Sequence, residues 1–132
     1  MTGSAPDRLT IMVVESDILV RMVLAEYLRD CGYKVVEGSC ADDAFTVLRS
    51  DIKIHLLFAE VRLSGDSDGF ALAKTTREMY PDVDVILTSS VANAADKAGD
   101  LCAEGVLQKP YHPDEVLRRI HILRDRRSAR AP

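Results

Sequence analysis

The chain has 132 residues, 47% hydrophobic and 29% charged, which suits one globular domain that buries a core without disulfide staples. Its net charge of -4 argues against a nucleic-acid binder. Its three cysteines, Cys31, Cys40 and Cys102, contain no CxxC pair, and no apolar run is long enough to span a bilayer.

An odd cysteine count fits a reducing compartment, so a cytoplasmic protein is expected. Residues 1–8 are short, polar and rich in small side chains, which predicts a disordered tail rather than a signal peptide. Residues 9–15 are a β-branched apolar run, expected as a first strand ending at Glu15, with Ser16 and Asp17 just beyond. Residues 17–31 carry Val20, Leu24, Tyr27 and Cys31 at helical spacing, and Gly32 supplies the stop. Residues 34–36 predict a short second strand, and 41–49 a second helix with Ala44, Val47 and Leu48 on one face. Residues 54–59 read as a buried third strand tipped by Glu60. A turn cluster at 65–69 leads into a third helix over 70–79, ended by Pro81. Residues 83–87 predict a fourth strand, followed by Thr88 and Ser89, and 92–103 a fourth, less apolar helix ended by Gly105. Val106 and Leu107 make a short fifth strand before Lys109. Pro113 opens the last helix, with Val116, Ile120 and Leu123 facing inward. Arg118, Arg119, Arg124, Arg126, Arg127 and Arg130 crowd this end. They read as a solvated last turn favoured by the helix dipole, with 9–125 as the domain and 126–132 as a basic tail.

Five alternating strand and helix units joined by short connections predict an α/β fold. Continuous apolar strands imply burial on both faces, hence a parallel sheet between two helix layers, wound right-handed. Such sheets place their chemistry at the carboxyl ends of the strands. Four groups are expected to meet there: Glu15, Glu60, the hydroxyls Thr88 and Ser89, and Lys109. Any one of them alone is an ordinary rim residue. Their recurrence at four strand ends is not.

The stretches Ile11-Met12-Val13-Val14-Glu15-Ser16-Asp17, Phe58-Ala59-Glu60-Val61-Arg62-Leu63, Asp68-Gly69-Phe70, Val85-Ile86-Leu87-Thr88-Ser89 and Leu107-Gln108-Lys109-Pro110-Tyr111 carry a resemblance. From about Leu9 to Arg124 the chain resembles a response-regulator receiver domain of two-component signalling. The resemblance implies a flavodoxin-like, doubly wound, five-stranded sheet of order 2-1-3-4-5 in a three-layer sandwich. It implies a phosphoacceptor position at Glu60, acidic-pair positions at Glu15 and Ser16, phosphate-contact and switch positions at Thr88, Ser89 and Lys109, and a cis Lys109–Pro110 bond. The expected magnesium site is weak, with Glu15 and Glu60 as its candidates.

This chain also departs from the family pattern. Glu60 stands where the family has Asp and reaches about 1.5 Å further. A misplacement of about 1 Å can cost ~100-fold in a positioned reaction. Ser16 replaces a carboxylate that would hold magnesium. Val106 stands at the family's aromatic switch position and has no ring to swing. These departures predict a degenerate, phosphorylation-independent receiver that binds proteins rather than catalysing a reaction. The alternative is a working acceptor that uses Glu60 or a nearby hydroxyl with magnesium. Expected partners are a histidine kinase or a downstream effector, with a second copy of the chain as a further candidate. The expected surface comprises the fourth helix, the fifth strand and the last helix, and includes Val106, Tyr111 and Arg118. A flavin or nucleotide binder would need a Gly/Ser/Thr-rich loop after the first strand, and Glu15-Ser16-Asp17-Ile18 would repel phosphate. His55, His112 and His121 show no metal spacing.

Overall fold

The computed structural model describes residues 8–63, 65, 67–89 and 105–130. The elements run β1 (Thr10–Val14), α1 (Ile18–Asp30), β2 (Lys34–Gly38), α2 (Ala41–Leu48), β3 (Leu56–Glu60), α3 (Gly69–Met79), β4 (Asp84–Ser89), β5 (Leu107–Gln108) and α4 (Pro113–Arg130). The sheet is parallel, in the order β2-β1-β3-β4-β5. The helix expected over 92–103, with Leu101 and Cys102, lies outside the described residues.

Alternation along the strands feeds two cores. On one face Met12, Val14, Leu57, Ala59, Val85 and Leu87 pack with Ala44 and Leu48 of α2 and Leu72 and Ala73 of α3. On the other, Ile11, Val13, Leu56, Phe58 and Ile86 pack with Leu24 and Leu28 of α1 and Val116, Ile120 and Leu123 of α4. Both faces of the sheet are covered, as parallel sheets require.

Three expectations need correcting. In α1 the inward residues are Leu24, Ala25 and Leu28, while Cys31 is exposed. Cys31 is the C-cap, and Gly32 at φ 101° turns the chain away, so the inward stripe through Leu24 and Tyr27 stops short of Cys31. β2 continues past Val36 to Gly38, because it pairs with all of β1. The last helix continues past residue 125 to Arg130. Part of the Arg-rich end is held there. Asp84, 7% exposed at the start of β4, accepts a hydrogen bond from Arg127 Nε at 2.9 Å and faces Arg124 at 3.6 Å. Among the described residues, no helix is long and apolar enough to cross a membrane.

Candidate functional site

β3 lies between β1 and β4, so the carboxyl ends of β1, β3, β4 and β5 share one edge. Glu15 leaves β1 directly, and its backbone N–H is tied to Gly38 O, which turns its side chain into the edge. Glu60 is the last residue of β3, in register with Thr88. Lys109 leaves β5 with its N–H on Ser89 O, and the Lys109–Pro110 bond is cis.

These side chains form one closed network. Lys109 Nζ lies 2.6 Å from Glu15 Oε1 and 2.5 Å from Glu60 Oε2. The Asp17 N–H donates to Glu15 Oε2 at 3.0 Å, and the Ser16 hydroxyl donates to Glu60 Oε1 at 2.8 Å. All four carboxylate oxygens therefore have a donor within the protein. Glu15 is 1% exposed, Glu60 14% and Lys109 18% by side chain.

Burial sets the titration of the network, and the donors modify it. Burial raises the Glu15 carboxyl above its usual value, and the Lys109 and Asp17 bonds only partly offset this. For Glu60 burial also acts upward, but Lys109 and Ser16 outweigh it, and its carboxyl is lowered. Burial works against the Lys109 charge, yet the two carboxylates hold its pKa above the usual lysine value.

Asp17 stays out of this network through its side chain. Its carboxylate accepts from the N–H groups of Leu19 and Val20 and caps α1. Among the described residues, no three His, Cys, Asp or Glu side chains are grouped to hold a metal ion. Thr88 is fully buried, and its hydroxyl has no partner among the described residues. Ser89 is 2% exposed.

The residues expected on a signalling surface differ in burial. Val106 is half-buried against the α2–α3 core. Tyr111 packs edge-on against Phe58, with ring centroids 5.9 Å apart and its hydroxyl buried. Arg118 is exposed.

One positioning residue was not singled out from sequence. A side chain on Gly69 would collide with Glu60 O and come within 2.8 Å of Val61 Cα. Gly69 lets the start of α3 lie directly on the end of β3, with Gly69 N–H on Val61 O at 2.8 Å. The signal available in sequence was Asp68 before Gly69, because Asp68 caps this helix through Ala71 N–H.

Residues 11–121 match the family described as the response regulator receiver domain. The chain belongs to that family. Receiver domains are signalling modules that work with histidine kinases and effectors. This chain is 28% identical over 111 residues to the hydrogenase transcriptional regulatory protein HoxA of Bradyrhizobium diazoefficiens, covering 82% of this chain and 22% of HoxA. It is 28% identical over 116 residues to the transcriptional regulatory protein CssR of Bacillus subtilis, covering 86% of this chain and 50% of CssR. It therefore spans half or less of these relatives. A CheY-like response regulator receiver domain protein from Methanospirillum hungatei superposes with a TM-score of 0.84 at 18% identity, covering 94% of this chain and 99% of that one. At that identity the likeness shows the fold alone.

Proposed function

We propose that this receiver domain signals by binding a protein, without phosphorylation at Glu60. The observation that supports this is the closed network. Lys109 bridges Glu15 and Glu60, and Ser16 takes the oxygen of Glu60 that Lys109 leaves. A divalent cation would have to displace Lys109 from both carboxylates and would meet a neutral hydroxyl at Ser16. Magnesium is usually held by one or two carboxylates together with phosphate, and the two carboxylates here are already taken by Lys109, Ser16 and the Asp17 N–H, which disfavours the ion.

A surface for a protein partner lies next to this edge. Ile18, Leu19, Met22 and Val23 of α1 are 58, 70, 51 and 64% exposed. They adjoin a groove of about 450 Å³ lined by Leu19, Val20, Val23, Leu24, Pro110, Tyr111 and Pro113. Lys109 lines it as well. A partner seated there would read the Lys109–Pro110 segment and hence the network.

The test is intact mass after incubation with acetyl phosphate and magnesium, on wild type and Glu60→Gln. No mass gain is expected. A magnesium-dependent gain of one phosphoryl group that Glu60→Gln abolishes would favour the acceptor reading instead. Magnesium calorimetry of Ser16→Asp against wild type should show tighter binding in the variant.

A further inference from the structure

At the opposite edge of the sheet, His55 stands just before β3. Its backbone N–H donates to Thr10 O at 2.9 Å, and its O accepts from Asp84 N–H at 3.0 Å. Its imidazole Nδ1 accepts from Thr10 N–H at 3.0 Å. The ring therefore supplies the acceptor for the first amide of β1, on a residue only 8% exposed. This bond needs an unprotonated Nδ1, with the ring proton on Nε2. One residue thus joins the starts of β1, β3 and β4, and its side chain supplies the bond to the Thr10 amide.

The charges acting on the ring are both positive: Arg124 of α4 and Lys53 of the segment before β3. The nearest strand start carries Asp84, but its carboxylate is shared by Arg124 and Arg127. Tyr33, whose phenol also feels Arg124, is half-buried and held neutral by burial. An imidazolium here would lose its acceptor role toward Thr10 and face two cations.

We propose that His55 is a proton-sensitive latch, closed when Nδ1 is bare and opened when the ring takes a proton from solvent. Opening frees the Thr10 amide and adds a positive charge beside Arg124. That weakens the hold of Asp84 on the second half of α4. The latch lies outside the candidate site and does not depend on how that site is read. Burial, Arg124 and Lys53 lower the ring's pKa below the usual 6.5, so the latch is closed at neutral pH and opens in mild acid.

The experiment is an NMR titration of the His55 ring, with amide exchange at Thr10 and along 120–127 corrected for intrinsic chemistry. The ring should titrate below 6.5. Thr10 protection should fall by up to about tenfold per pH unit as pH drops from 6.5 toward that midpoint, where the open form grows in proportion to the proton concentration, and should level off below it. His55→Asn keeps an acceptor that does not titrate, and should show no fall. His55→Phe has no acceptor, and should leave Thr10 weakly protected at every pH. The proposal is overturned if the ring titrates at or above 6.5 with Thr10 protection unchanged, or if His55→Asn falls as the wild type does. Should either variant fail to fold, the wild-type titration and exchange decide alone.

Discussion

At Lys109 one ammonium serves two carboxylates of unequal burial, and this asymmetry sets the response to pH. Glu15 is raised in the folded state, so its contribution is full below the ordinary value of 4.5 and is lost as pH rises through the folded value. Glu60 is lowered, so its contribution is present above 4.5 and is lost as pH falls through the folded value. The two act in adjacent windows, Glu60 below 4.5 and Glu15 above it, so the pair stabilises the fold most near 4.5. Lys109→Met removes the shared partner and strands both charges. The expected cost near neutral pH is about 3 kcal/mol, the lower end for breaking a buried pair, because Lys109 and Glu60 keep some access to water. Both carboxyls are then raised, so the deficit should shrink as pH falls toward 5. Urea midpoints at two pH values check this, and a deficit that is constant or grows in acid would contradict the assignment. The pair itself was legible in the sequence, because strand-end positions fix where Glu15, Glu60 and Lys109 go. The role of Ser16 as donor to Glu60 was not. It depends on the longer Glu side chain reaching a neighbouring strand end, which no spacing rule encodes.

Elements reach this edge through close backbone contacts that tolerate no added atoms. Gly69→Ala would push a methyl group into Glu60 O and the Val61 backbone. Neither can yield without moving the end of β3, so a loss of about 2–3 kcal/mol is expected, within the range for overpacking. A perturbed Glu60 carboxyl resonance should accompany it. A stability loss with Glu60 unmoved would make Gly69 a packing residue with no bearing on the site. At the other end of the sheet, Arg127→Ala leaves Asp84 buried with only the longer Arg124 contact, and should cost about 2 kcal/mol. Asp84→Asn with Arg127→Gln should cost less than the sum of the two single changes, as a double-mutant cycle would show. The sequence placed Arg127 in a solvated tail because Arg-rich helix ends are usually solvated. Its partner Asp84 lies 43 residues away, and only the tertiary fold brings them together. In α1 the inner stripe through Leu24 and Tyr27 was legible, but its end at Cys31 was not. Apolar residues occupy both the inner face (Leu24, Ala25, Leu28) and the outer face (Ile18, Leu19, Met22, Val23), and the exposed outer group does not follow from the periodicity of the inner one.

That two-faced helix bears on how the whole molecule works. Single exposed apolar side chains are ordinary, but a contiguous group of four beside a groove is the kind of patch that marks an interaction site. α1 needs only its inner face to fold, so the outer residues can be changed without touching either core. Leu19→Glu and Val23→Glu should therefore shift stability by no more than about 0.5 kcal/mol. If this face binds the partner, each should weaken capture by tenfold or more, since side chains central to an interface carry over 1 kcal/mol each. Arg118→Glu tests the other surface, on α4, and is equally remote from the cores. Tyr111→Ala is a poor test of either surface, because its ring packs on Phe58 and its loss would leave a cavity. The measurements are thermal melts, light scattering across concentration and binding to the purified partner. Loss of binding in the α1 variants with normal melts and intact binding in Arg118→Glu assigns the docking surface to α1. The reverse pattern returns it to α4. If light scattering shows a dimer that only the α1 variants dissolve, the partner is a second copy. The network at Lys109 then lies at the rim of a self-interface, within reach of the groove residues Pro110 and Tyr111.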